Sequence, residues 1–186
     1  AGGVGAIPET RYLDAVIADL DGALPLVWGR RIVSVFLGGG TPSLLSAAGV
    51  ERLLSALRAR LPLQPGCEVT MEANPGTFEA GKFSAFAAAG VNRLSIGVQS
   101  FDDRQLHRLG RVHDRAQAVA AIEAAQRQFE NFNLDLMYAA PGQSLEALRA
   151  DVEEALPHDL VQSAKFTLPA FENTLLLCER YDIQAL

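Results

Sequence analysis

IVSVFLGGGTPSLLS, residues Ile32 to Ser46, decides how the chain is read. A β-branched, apolar run stops at three consecutive glycines, Thr41-Pro42 follows, and a helix-type pattern begins. Strand, bare-backbone turn and helix make one βα unit. Glycine at the end of a buried strand permits backbone conformations and close approaches that a Cβ forbids. The turn also has a plain structural reading, a tight strand–helix connection in which Gly supplies positive φ and Pro stops the strand. It is not a Walker loop, because the Lys-Ser/Thr that should follow the last glycine is missing. It is not a dinucleotide fingerprint, because the G-x-G-x-x-G spacing fails.

Outward from this turn the same pair of elements recurs. Residues 9–24 carry Leu13, Val16, Ile17, Leu20 and Leu24 at helical spacing and predict an amphipathic helix that Pro25 interrupts. The strand at 31–37 leads through the glycines to a helix over 46–61 that buries Val50, Leu53, Leu54 and Leu57. A strand at 67–73 ends at Asn74-Pro75-Gly76, and Thr77 is placed to cap a helix over 78–89 with Phe83 and Phe86 facing inward. After a strand at 92–100, Ser100 and Asp103 resemble a capping box for a short helix near 102–109, ahead of a longer helix over 115–128. A strand at 133–139 ends at Ala140-Pro141-Gly142 before a helix over 144–156, and a last strand is read at 163–169. Strands alternating with helices imply a parallel sheet with helices outside, in a single α/β domain over residues 1–186. An open doubly wound sheet and a partial β/α barrel both satisfy the pattern.

Composition narrows the function classes. The chain is 49% hydrophobic with a net charge of −6, a globular balance without a basic run, so nucleic acid is not the expected partner. No apolar run reaches ~18 residues, so no membrane span is expected, and no signal peptide is recognised. Cys67 and Cys178 are too few and too far apart for a disulfide framework and fit a reducing, cytoplasmic setting. The chain opens AGGVGAIPET with no initiator Met and is read as starting partway into a domain.

Polar residues interrupt strands that should be nearly all apolar. Glu72 and Asn74 share one parity in MEANP, Gln99 closes SIGVQS, Asp135 interrupts NLDLMY and Thr41 follows the glycines. Ligands of β/α folds bind at the C-terminal edge of the sheet, where these groups fall. Taken singly each has a structural reading: Glu72 pairing with a basic neighbour such as Arg93, Asp135 capping backbone, Gln99 a satisfied core amide, Arg111 a solvated charge beside Asp102 or Asp103. His107, His113 and His158 lack metal-ligand spacing and read as surface or packing residues. Cys67 and Cys178 read as small packing residues.

Taken together, GGGTPSLLS, MEANPGT, NRLSIGVQSFDDRQLHRLGR and NLDLMYAAPGQS resemble the radical S-adenosylmethionine (SAM) proteins related to oxygen-independent coproporphyrinogen III oxidase. The wording EANPGT and GVQSF is similar to the branch regarded as haem chaperones, where the oxidases tend to read EVDP and GVQDF. The resemblance covers residues 7–156 and implies a partial (β/α)6 barrel whose first strand and C-terminal region are missing here. It implies SAM and a [4Fe–4S] cluster as cofactors of the full-length protein, and haem or a porphyrinogen, with haem-accepting proteins, as partners. It carries SAM contacts onto Gly39, Gly40, Thr41, Glu72, Gln99, Arg111 and Asp135. Glycines 38–40 would bring backbone to the methionine amino group, Thr41 a hydroxyl to the carboxylate side, and Arg111 a bidentate fork to the methionine carboxylate. Glu72, Gln99 and Asp135 would share the ammonium and the ribose hydroxyls.

Two departures accompany the resemblance. The family's first strand leads to a CxxxCxxC loop whose thiolates hold the cluster; this chain has no such motif, so no metal ligand is assigned and the motif is expected upstream. SAKFTLPAFENT resembles the family's sixth strand only loosely, and LLLCERYDIQAL has no clear match. Two function classes stay open at this point: a haem carrier, and an oxidase that decarboxylates coproporphyrinogen III propionates by radical chemistry.

Overall fold

The computed structural model describes residues 8–77 and 80–156. In chain order the elements are α1 (Glu9–Val27), β1 (Ile32–Leu37), α2 (Ala47–Arg60), β2 (Leu63–Ala73), α3 (Ala80–Ala89), β3 (Arg93–Gln99), α4 (Asp103–Arg108), α5 (Arg115–Gln128), β4 (Phe132–Leu136) and α6 (Leu145–Ala155). The strand expected at 163–169, His158, Cys178 and the start of the helix that Thr77 was expected to cap lie outside the described residues.

The four strands form one sheet in the order β1-β2-β3-β4, every neighbouring pair parallel. Spatial order equals chain order, so there is no switch point of the kind a doubly wound sheet requires. Each crossover steps one strand further the same way, and the side chains of one face pack with the helices. That is an arc of a β/α barrel.

Alternation sorts the strands. Val69, Met71 and Ala73, then Leu94, Ile96 and Val98, then Leu134 and Leu136 point to the helix side. There they meet Val50 and Leu54 of α2, Phe83 and Phe86 of α3, Ala118, Ile122 and Ala125 of α5, and Leu148 and Val152 of α6. Phe83 meets Phe129 edge-to-face, with ring centroids 6.0 Å apart. The opposite face carries Glu68, Thr70 and Glu72, Arg93 and Ser95, Asn133 and Asp135. The polar residues therefore run the length of the strands with period two, rather than sitting only near their C-terminal ends as the sequence reading had them.

Three local readings are corrected. α1 continues through Pro25 to Val27. A proline so near the end removes one intrahelical hydrogen bond, and few residues remain to be disrupted. The short helix α4 is capped by Asp102, whose carboxylate accepts from the amide of Arg104 at 2.8 Å, not by a Ser100–Asp103 box. β4 ends at Leu136, short of 139, because Ala139 takes a positive φ of 56° and turns the chain out of the sheet. The Ser100 hydroxyl instead donates to the buried carboxylate of Asp151 at 2.8 Å, and that carboxylate also accepts from the Phe101 amide at 2.6 Å, tying α6 to the end of β3.

α1 is held on the outside by Leu13, its one fully buried side chain, and by charged contacts to α2. Glu9 accepts from the Ser46 amide at 2.6 Å and hydroxyl at 2.5 Å, and Ser46 in turn caps α2. Asp21 pairs with Arg60, and Asp14 with Arg52.

Candidate functional site

The site lies at the C-terminal edge, where the glycine turn after β1 folds over the polar face. Gly39 and Gly40 have φ of 80° and 54°, and a Cβ on either would meet no atom within 4 Å. It is the left-handed backbone, not crowding, that asks for glycine there. Gly38 differs: a Cβ on it would come within 2.5 Å of the Phe36 ring. Glu72, on the neighbouring strand, accepts a hydrogen bond from the Gly39 amide at 3.0 Å and holds the turn in place. On the same face Arg93 reaches Glu68 at 3.5 Å, and Thr70 donates to the same carboxylate at 3.1 Å.

Gln99 sits at a bulge. The β3–β4 register slips between Ile96 and Gln99, and Gln99 takes a φ of 68° while remaining 91% buried by its relative exposure of 9%. A non-glycine residue in the left-handed region costs roughly 1–2 kcal/mol. The bulge redirects a strand-end side chain, as bulges beside binding sites do. The next strand supplies Asp135, whose carboxylate accepts from Ser95 Oγ at 2.9 Å and from Asn133 Nδ2 at 2.8 Å.

Arg111 follows α4 and reaches the same cleft. It makes no ion pair among the described residues: Asp102 is engaged by Arg104, and Asp103 accepts from the Arg115 amide at 2.7 Å. The solvated pair with Asp102 or Asp103 is therefore not what the structure shows. One cleft of about 210 Å³ is lined by Gly40, Thr41, Glu72, Gln99, Arg111 and Asp135 together, with Ser95, Gly97 and Asn74 also on its wall. Every residue singled out from the sequence is here or, as Gly39, bound to a residue that is. Asn74, whose Oδ1 accepts from the Gly76 amide at 3.0 Å, fixes the turn after β2. A second concavity of about 240 Å³ continues down the polar face past Ser95, Gln99, Asn133 and Asp135. Ser95 and Asn133 were not read from the sequence as site residues. Their signal was present in the polar alternation of RLSIGVQ and FNLDL.

The histidines divide. His113 is buried, with Nε2 3.0 Å from the Val98 carbonyl oxygen, and is a packing residue; His107 is exposed. Cys67 is half-buried within β2, toward the opposite end of the sheet from the cleft. Among the described residues no group of three or more His, Cys, Asp or Glu side chains could hold a metal ion, and no helix is long and apolar enough to cross a membrane.

Residues 18–155 match the Radical SAM superfamily. The chain belongs to that superfamily. It is 44% identical over 172 residues to the heme chaperone HemW of Escherichia coli K12, and 41% identical over 140 residues to the mitochondrial radical S-adenosyl methionine domain-containing protein 1 of Bos taurus. These alignments cover 92% and 75% of this chain but 46% and 32% of the relatives, so the chain spans less than half of their length. Among solved structures, coproporphyrinogen III oxidase (HemN) of Escherichia coli superposes with a TM-score of 0.74 at 28% identity, over 84% of this chain and 36% of that one. Methylornithine synthase (PylB) shares the fold alone, at a TM-score of 0.55 and 11% identity. The partial β/α barrel is thus the radical SAM fold. SAM and a [4Fe–4S] cluster are the cofactors of the superfamily.

Proposed function

We propose that this chain is the SAM-binding part of a haem chaperone-like radical SAM protein, which binds haem and passes it to haem-requiring proteins. The observation that carries the reading is the joint one: the HemW relatives align along 80–94% of the chain in the first five comparisons, and the residues the resemblance implies line one cleft, except Gly39, which is bound to Glu72 on its wall. The fit to SAM rests on the chemistry of that cleft. Its carboxylates, Glu72 and Asp135, suit an ammonium and hydroxyls, and the guanidinium of Arg111, without an ion pair among the described residues, suits a carboxylate. The turn at Gly39 and Gly40 exposes backbone without side chains in the way. Gln99 adds an amide that both donates and accepts. The described residues do not fit the cluster, since they hold no thiolate trio, and no role in cluster binding is given to Cys67. Bound together, SAM and a reduced cluster supply a 5'-deoxyadenosyl radical; what this chain contributes is binding, orientation and exclusion of water.

A second reading is supported by the superposition on HemN: an oxygen-independent coproporphyrinogen III oxidase, acting on propionate side chains. Two assays on the full-length protein separate them. The carrier reading expects stoichiometric haem binding seen by absorbance titration, with no protoporphyrinogen formed from coproporphyrinogen III under anaerobic, reducing conditions. Turnover of coproporphyrinogen III would make the second reading the right one.

A further inference from the structure

We propose that Asn133 and Ser95 are positioning residues that hold the Asp135 carboxylate in the orientation in which it receives SAM; the inference rests on the reading of the cleft given above. Three side chains from two strands close a ring. Asn133 Nδ2 donates to Asp135 Oδ1 at 2.8 Å and to Ser95 Oγ at 2.9 Å, and Ser95 Oγ donates to Asp135 Oδ2 at 2.9 Å. Both amide hydrogens of Asn133 and the one hydroxyl hydrogen of Ser95 are thereby committed. Each carboxylate oxygen of Asp135 receives at least one donor, which fixes the rotation of the carboxylate about its own axis and requires it as an acceptor on both sides.

The orientation of the Asn133 amide is the telling feature. Asn133 is 3% exposed, and its Oδ1 is buried with no hydrogen-bond partner. Turning the amide over would aim that oxygen at the carboxylate, so the present orientation is the one the neighbours dictate. A buried acceptor left without a donor is unfavourable for folding. A residue retained only for packing would be apolar, as Leu134 beside it is on the other face. Asn133 lines the lower concavity but not the cleft under the glycine turn, so it reaches the ligand through Asp135.

Asn133→Leu separates positioning from packing, because it removes the donor and the orphaned acceptor together at similar volume. In the full-length protein the variant should keep or raise the thermal midpoint measured without ligand, while SAM affinity by isothermal titration falls about five- to tenfold, the effect of one lost hydrogen bond to a charged group. Combined with Asp135→Asn, the same change should shift affinity less than about twofold, because residues acting through one another are not additive. Asn133→Ala gives the same cycle should Asn133→Leu fail to fold. Parent-like affinity in Asn133→Leu overturns the proposal, and so does an equal loss of affinity in the Asp135→Asn background, which marks a structural role. If Asp135→Asn itself binds SAM as the parent does, the cleft reading falls and the proposal with it; if only Asp135→Asn weakens binding, the cleft stands and the positioning role alone is wrong.

Discussion

The two faces of the four-stranded sheet use the same backbone for opposite purposes. On the helix side, Met71, Leu94, Ile96 and Val98 are fully buried among aliphatic and aromatic neighbours. On the other side, Glu68, Thr70, Glu72, Arg93, Ser95, Asn133 and Asp135 form a hydrogen-bonded polar layer, also largely buried. Parallel strands are usually covered on both faces and read as apolar throughout. Period-two polarity in parallel strands therefore says that one face surrounds something polar. In a barrel arc that is the interior, and the cleft at its C-terminal edge is the open end of the layer. One face holds the fold together, and on the proposed reading the other is arranged around a ligand.

Substitutions should separate the faces, and the largest effect belongs to the helix side. Phe86, completely buried in α3, should lose about 3–5 kcal/mol of stability on Phe86→Ala, read by denaturant unfolding of the full-length protein. SAM affinity of the fraction that remains folded should be little changed. A loss under about 1 kcal/mol would mean that the apolar face is not the structural one.

Gln99→Gly inverts that outcome. Glycine relieves the left-handed φ of 68°, which offsets its backbone entropy cost, so stability should move by less than about 1 kcal/mol. Affinity for SAM should fall about tenfold or more as the amide is lost. If stability collapses and affinity does not move, Gln99 is a core amide, the bland reading of its sequence.

The smallest effects are electrostatic and have opposite signs. Hydrogen bonds from the Ser46 side chain and then its backbone hold the Glu9 carboxyl below its ordinary 4.5. The folded state therefore binds fewer protons at this group, and its stabilisation is present above the ordinary value and lost as pH falls through the lowered one. Because Glu9 is largely solvated, Glu9→Gln should cost under about 1 kcal/mol at neutral pH, and the difference should vanish in acid. Asp151 is the reverse case. Burial, its largest influence, raises its carboxyl above the ordinary 3.8 despite hydrogen bonds from Phe101 and Ser100. Its favourable contribution is complete below 3.8 and declines as pH rises through the raised value. Asp151→Asn should accordingly gain stability relative to the parent as pH increases, seen in thermal midpoints across a pH series. A pH-independent difference for either variant would contradict the corresponding assignment.

What was legible in the sequence follows the same division. Strand and helix periods stand out because each element has a distinct apolar repeat, and the helix stripe of Leu13, Val16, Ile17, Leu20 and Leu24 is buried or half-buried in the structure. The choice between a doubly wound sheet and a barrel was not legible from those periods. It depends on spatial strand order, which is set by packing between units. The candidate residues that share the cleft were legible as polar interruptions, and family wording selected among them. Ser95 and Asn133 escaped notice because Ser and Asn are common beside turns and at strand ends, and only the cross-strand register puts them beside Asp135. The cap of α4 was misplaced because Ser100, Asp102 and Asp103 are all good capping types, and the tertiary partner Asp151 claims Ser100.

The central claim is that the polar open end of the barrel arc binds SAM, and Arg111 tests it most directly. It stands after α4, not in a strand, is half-buried, and forms no ion pair among the described residues. Its replacement should therefore leave the fold and any cluster content unchanged. Arg111→Lys keeps the charge but removes the planar fork that matches a carboxylate. Isothermal titration of SAM into the full-length parent and the variant should show affinity about tenfold to a hundredfold weaker in the variant, the equivalent of ~1.5–3 kcal/mol. Equal affinities would show that Arg111 does not contact the ligand, and that the cleft at the end of the polar face is not the SAM site.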